Sequence, residues 1–221
     1  MTSFAAKYCN LNESQYGSRA GKLCQSAILN KVLTYDLFRL TKREGAVAEF
    51  DAMANYDRMI PALVALACRR LGMNIKACSM MLDVMENMTH LIRTAHGDSA
   101  QTYCTDEIFK VFGTGQGSGG SPAFWLAISD VMFQCIDREL DGAAFSNPSK
   151  YRLSQRVENA FVDDTSMTVD DRGGDPVAAL CRHSHTHGRY LYATGGQLAI
   201  HKYFWTLVAW LFCHDAPTLY V

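Results

Sequence analysis

Asp163 and Asp164 stand side by side between two strand-like runs, Val157-Glu158-Asn159-Ala160 and Thr165-Ser166-Met167-Thr168-Val169, which puts two carboxylates at a hairpin tip. A two-residue hairpin turn wants positive φ at both central residues, which Asp adopts only with some strain. Two like charges there also repel, and a divalent cation would remove the repulsion. Paired acids at a turn are by themselves most often a solvated loop. A further acid, Asp51, closes a short apolar run, with Tyr56 and Asp57 shortly after it, and a glycine loop from Gly113 to Pro122 opens a helix. Phosphoryl transfer from a nucleoside triphosphate uses two cations about 3.5 to 4 Å apart. Magnesium takes only one or two carboxylates plus phosphate oxygens, so a few aspartates on neighbouring strands suffice. Asp51 and Asp163 are far apart in sequence, and only a fold that pairs their strands could unite them.

In this order and spacing the blocks resemble those of reverse transcriptases, the RNA-directed DNA polymerases of retroelements. The resemblance rests on Asp51 with Tyr56, on Gln116-Gly117 through Ser121-Pro122, and on Phe161-Val162-Asp163-Asp164, the family's aromatic-x-Asp-Asp box. A weaker block, Gly195-Gly196-Gln197-Leu198-Ala199-Ile200-His201-Lys202, is similar to the glycine-to-lysine segment after the box. Upstream, Gln15-Tyr16-Gly17-Ser18-Arg19-Ala20-Gly21-Lys22 is similar to a fingers segment, with Ser18, Ala20 and Lys22 departing from its pattern.

The resemblance implies that Asp51, Asp163 and Asp164 bind two Mg2+ or Mn2+ ions. Tyr56 would lie beneath the incoming sugar, where a 2′-hydroxyl would collide. Gln116, Gly117 and Phe161 would contact the nucleotide, Lys202 would meet the triphosphate or protonate pyrophosphate, and Arg19 and Lys22 would approach the template. The implied partners are an RNA or DNA template with its primer and deoxynucleoside triphosphates. The implied fold is α+β, a palm-like antiparallel sheet backed by helices over residues 46–215, with a partial helical fingers segment over residues 1–45. Further fingers and thumb segments would belong to a longer polyprotein. The chain alone is therefore expected to bind template weakly and salt-sensitively, with little or no extension.

Composition allows this without demanding it. The chain has 221 residues, 48% of them hydrophobic, enough to bury one sizeable core. Net charge is −1, but residues 1–44 hold seven Lys and Arg against three Asp and Glu, leaving an acidic remainder. A basic leading segment beside an acidic body suits a backbone-contacting lobe next to a cation site, and equally a solvated helix face. No stretch is long and apolar enough for a membrane span or a secretory leader, so an intracellular protein, cytoplasmic or nuclear, is expected. The eight cysteines include no Cys-x-x-Cys, which predicts buried reduced thiols.

The positioning elements follow from periodicity. Ile28, Val32, Leu33, Leu37 and Leu40 predict a helix over Lys22 to Thr41, stopped by Gly45 before the strand that carries Asp51. Pro61 opens a second helix that Gly72 ends. Ala77, Met81, Val84, Met88 and Leu91 predict a third, whose methionine stripe reads as core. Glu107 to Phe112 alternates like a strand, and Ser121-Pro122 predicts a cap and first turn for a helix to Leu140. Asp141 to Lys150 reads as a loop, Pro176 to Thr194 as a helix, and Leu198 to Phe212 as a strand.

Gly115-x-Gly117-x-x-Gly120 also satisfies the local pattern of a dinucleotide-binding loop, so an NAD-binding oxidoreductase is the alternative enzyme class. A non-catalytic remnant of a reverse transcriptase is a further alternative. His183, His185 and His187 alternate after Cys181, but their spacing does not place all three on one helical face, which predicts a solvated helix end rather than a zinc site.

Overall fold

The computed structural model describes residues 11–106, 112–115, 117–146, 153–213 and 216–220. Gln116 and most of the expected strand over Glu107 to Phe112 lie outside them.

Helix α1 (Cys24–Thr41) stops where Lys42 turns left-handed at φ 52 and its N–H bonds the Phe38 carbonyl. Strand β1 (Gly45–Phe50) follows, then a single turn α2 (Asn55–Arg58), α3 (Pro61–Arg70) and α4 (Ile75–Asn87). Pro61 sits in the first turn of α3, and the Asn74 side chain caps α4 by accepting from Lys76 N–H at 2.9 Å. The third helix ends short of Met88 and Leu91. Leu91 instead falls in β2 (His90–Thr94), which pairs with β3 (Gly97–Tyr103) in a hairpin that periodicity did not announce. Helix α5 (Ser121–Glu139) leads to β4 (Ala143–Ser146), a strand inside the expected loop, paired antiparallel with β5 (Leu153–Arg156). Then come β6 (Glu158–Phe161), β7 (Asp164–Asp170), α6 (Pro176–Ala193), β8 (Phe204–Cys213) and β9 (Ala216–Tyr220).

The principal sheet has the order β6-β7-β1-β8-β9 with every neighbouring pair antiparallel. Alternation along the central strand β1 assigns its two faces. Ala46, Ala48 and Phe50 pack with Met167 and Val169 of β7 and with Ala179 and Leu180 of α6. A larger core joins Val64 and Cys68 of α3, Met85 of α4 and Trp125, Phe133 and Ile136 of α5. The opposite face of β1 carries Glu49 and leads to Asp51.

Several expectations are corrected here. The apolar row of α1 points outward: Ile28, Val32, Leu33 and Leu40 are exposed, while Ala27 and Phe38 are the buried residues of that helix. Ser121 is not the cap of α5. Gly120 takes that position, and the Ser121 hydroxyl donates to the Gly115 carbonyl at 2.9 Å, closing the glycine loop on itself. His183 and His187 are buried rather than solvated. Cys24, Cys68, Cys78, Cys104, Cys135 and Cys181 are free; Cys68 and Cys78 are buried but Cys24, Cys104 and Cys181 are exposed. Burial pushes the Cys68 thiol up to about 12. No helix among the described residues is long and apolar enough to cross a membrane.

Candidate active site

Register brings the acids together. Phe50 pairs with Thr165 across β1 and β7, so Asp51, one residue on, reaches the level of Asp164. Phe161 pairs with Asp164 across β6 and β7, leaving Val162 and Asp163 as the two-residue turn. The tip is thus Val162-Asp163, and Asp164 is the first residue of a strand. Only Val162 of these takes positive φ, at 61, a costly conformation for a β-branched residue.

Buried partners hold that strained turn. Gln15, 0% exposed, accepts from Val162 N–H at 3.0 Å through its side-chain oxygen and donates to the Val162 carbonyl at 3.0 Å through its nitrogen. The Trp125 indole N–H donates to the same carbonyl at 2.6 Å. The segment around Gln15 runs alongside β6, with Tyr16 N–H donating to the Ala160 carbonyl and Ala160 N–H to the Ser14 carbonyl, each at 2.8 Å. Gly17 must be glycine, since a Cβ there would lie 2.4 Å from the Val162 nitrogen.

Lys202 arrives by a second clamp. The chain after Asp51 bridges Leu198 through Ala52; Met53 N–H donates to the Gln197 carbonyl at 2.7 Å, and Ala199 N–H to the Asp51 carbonyl at 2.8 Å. This fixes the short 3-10 turn Ile200–Lys202, whose lysine forms an ion pair with the Asp51 carboxylate. The pairing raises the Lys202 ammonium above its ordinary value, with the Asp163 and Asp164 charges adding to it.

The electrostatics of the acids are those of a cluster. Burial raises Asp163, and the charges of Asp164 and Asp51 raise it further against the opposing pull of Lys202. Burial likewise raises Asp164, followed by the Asp51 charge. Tyr56 is raised by burial and then by the Asp163 charge. Among the described residues no group of three or more His, Cys, Asp or Glu side chains is placed to hold a metal ion. Mg2+ takes only one or two protein carboxylates and completes its shell with water and substrate oxygens, so such a site would not form a closed group of ligands.

Asp51 and Asp164 line a cleft of about 510 Å3 together with Glu49, Asn159, Phe161, Ser166 and Lys202, under Ala27, Ile28 and Lys31 of α1; Asp163 is not among its lining residues. Glu49 and Lys31 were missed from the sequence. Ser166 donates to Glu49 at 2.6 Å, and Lys31 forms an ion pair with Glu49. Alternation could have found Glu49, two residues before Asp51 on the same strand face.

The glycine loop docks on the Tyr56 turn, with Thr114 N–H donating to the Tyr56 carbonyl at 2.7 Å and Gly113 N–H to the Met59 carbonyl at 2.8 Å. A Cβ on Gly113 would lie 2.5 Å from the Asp57 backbone. At Gly117, φ is 87 and an added Cβ meets nothing within 4 Å, so this part of the loop faces open space. Arg19 and Lys22 are engaged elsewhere. Arg19 donates to the Asn12 carbonyl at 2.6 Å and the Gln15 carbonyl at 3.2 Å, and both residues pair with Glu13.

Comparison of the coordinates with solved structures finds telomerases. The telomerase of Candida albicans in complex with a TWJ fragment of telomeric RNA superposes with a TM-score of 0.62 at 12% identity, over 93% of this chain and 33% of that one. The Candida tropicalis enzyme with the same fragment gives 0.57 at 14%, over 88% and 30%. Its apo form truncated from the C-terminal domain gives 0.57 at 14%, over 88% and 36%. The likeness is one of fold, mixed helix and antiparallel sheet, and the chain spans about a third of each telomerase. No protein-family model matches the sequence, and no curated protein is significantly similar to it.

Proposed function

We propose that this chain is the catalytic core of an RNA-directed DNA polymerase of retroelement type, a palm over residues 46–215 with a partial fingers segment before it. The observation that carries the proposal is the meeting of Asp51, Asp163, Asp164 and Lys202 at adjoining strand ends of one antiparallel sheet. The telomerase fold, that of an RNA-directed DNA polymerase, supports the same class. A dinucleotide-binding alternative needs a parallel βαβ unit at the glycine loop, whereas α5 leads into an antiparallel pair.

Asp51, Asp163 and Asp164 would hold two Mg2+ or Mn2+ ions, which when bound supply charge stabilisation at the attacking and leaving oxygens. Tyr56, held by its backbone bond to Thr114, excludes a 2′-hydroxyl and so selects deoxynucleotides. Gly117 and Phe161 border the nucleotide, with Gln116 on the same loop. Lys202, paired with Asp51, would meet the triphosphate or protonate the departing pyrophosphate. Template and primer, RNA or DNA, lie along the cleft beneath α1.

Single-nucleotide addition to a primer on an RNA template tests this. With protein in excess at low salt, weak binding does not hide the chemistry. The wild-type chain should add the templated deoxynucleotide and Asp163→Asn should not; addition by that variant at the wild-type rate contradicts the proposal.

A further inference from the structure

A second cavity, of about 860 Å3, shares no lining residue with the acid cleft. Its floor is backbone. Gly195, at φ 95, approaches so closely that a Cβ would lie 2.2 Å from the Arg58 carbonyl oxygen, while a Cβ on Gly115 would meet nothing within 4 Å. Its walls are aromatic: Tyr103 is 50% exposed, Phe112 51% and Tyr192 78%. His90 stacks on Tyr103 with ring centroids 5.0 Å apart and planes at 18°. Arg58 and His90 also line the cavity, and their Nε and Nε2 atoms are buried with no hydrogen-bond partner among the described residues. Leaving such groups unpaired is costly.

A ligand that satisfies the cavity must offer a flat π-face to the aromatics and hydrogen-bonding groups to Arg58 and His90. A purely apolar ligand would leave both nitrogens unpaired, and a bare phosphate would leave the aromatic faces in water. A nucleobase with its attached phosphate supplies both, through stacking and an arginine contact. We propose that this cavity binds an unpaired nucleobase and its phosphate, from a single strand of nucleic acid or a free nucleotide. This goes beyond the polymerase site and uses none of its acids.

The test uses the full chain in EDTA with a fluorescein-labelled octamer of riboadenylate, read by anisotropy, with AMP as competitor. Tyr103→Ala and Tyr192→Ala alter exposed side chains, and thermal melts confirm that both variants remain folded. Each should weaken binding about fivefold or more. Displacement by AMP at micromolar concentration assigns the site to free nucleotide; displacement only by unlabelled octamer assigns it to a strand. A 5-iodouridine octamer should photocrosslink to Tyr103, Phe112 or Tyr192. Binding unaffected by both tyrosine substitutions, no binding at all, or crosslinks confined to the acid cleft would overturn the proposal. Those results leave primer extension untouched, while extension by Asp163→Asn would remove the polymerase proposal and leave this one standing.

Discussion

The side-chain amide of Gln15 holds both backbone polar groups of Val162, at 3.0 Å each, across 147 residues of sequence. Strain at the positive φ of Val162 is thereby maintained from outside the hairpin, and Asp163 is aimed by a residue that never meets substrate. Gln15→Ala should cost about 2–3 kcal/mol, since it leaves the Val162 N–H without its partner in a buried setting. It should also lower nucleotide addition more than the stability loss explains. Denaturant unfolding with single-turnover rates checks this, and a rate that simply follows the folded fraction would reduce Gln15 to a structural part.

Asp163 and Asp164 are both raised in the folded chain. Below the unfolded value both states are protonated and nothing is lost. As pH rises through the raised folded value, the native state loses stability relative to the unfolded one. Asp163→Asn should therefore stabilise the protein at pH 7 and not at pH 3. The gain is held under about 1 kcal/mol by the half-exposed position of the group. Urea midpoints at the two pH values measure it; equal shifts at both would show that charge is not the cause. Asp170 works the other way. Burial alone would raise it, but the Ala144 N–H and the Arg43 and Arg172 guanidinium groups outweigh that, so its contribution is lost as pH falls through the lowered value.

Tyr56→Ala should admit ribonucleotides by opening space beneath the sugar, at some loss of rate from poorer positioning. The ratio of ribonucleotide to deoxynucleotide addition reads this out, and an unchanged ratio would return Tyr56 to the core that its ring borders.

His187, 3% exposed, bonds Glu158, 1% exposed, at 2.7 Å and stacks on Phe50 with centroids 4.9 Å apart. Phe50 adjoins Asp51, so this buried pair underlies the acid site from the helix side. His187→Ala removes the ring stack and strands a buried carboxylate, and should cost about 3 kcal/mol or more. A melting temperature within a degree of wild type would show that Glu158 finds another partner.

The strand before Asp51 and the helix that Pro122 opens stand where periodicity puts them, whereas the Asp-Asp pair is singled out by resemblance to a family's box and sits one residue off the expected hairpin tip. What periodicity cannot see is which partner an apolar face meets. The row from Ile28 to Leu40 has helical spacing yet faces outward, while the buried residues of α1 are Ala27 and Phe38, the latter packed with Val208 of β8. The histidines of α6 looked solvated from their spacing, but a stacking partner on β1 and a carboxylate on β6 compensate burial of His187. Gln15 carried no local signal, since its role is defined by a hairpin at the other end of the chain.

Binding of Mn2+ to the isolated chain, followed by electron paramagnetic resonance at pH 7.5, tests the cation site of the proposed polymerase most directly. It needs no template, primer or further segment. The wild-type chain should bind Mn2+, Mg2+ should compete, affinity should fall as pH drops through the raised values of Asp163 and Asp164, and Asp163→Asn should weaken binding at least tenfold. Equal Mn2+ affinity in wild type and Asp163→Asn would contradict a cation site built from these acids.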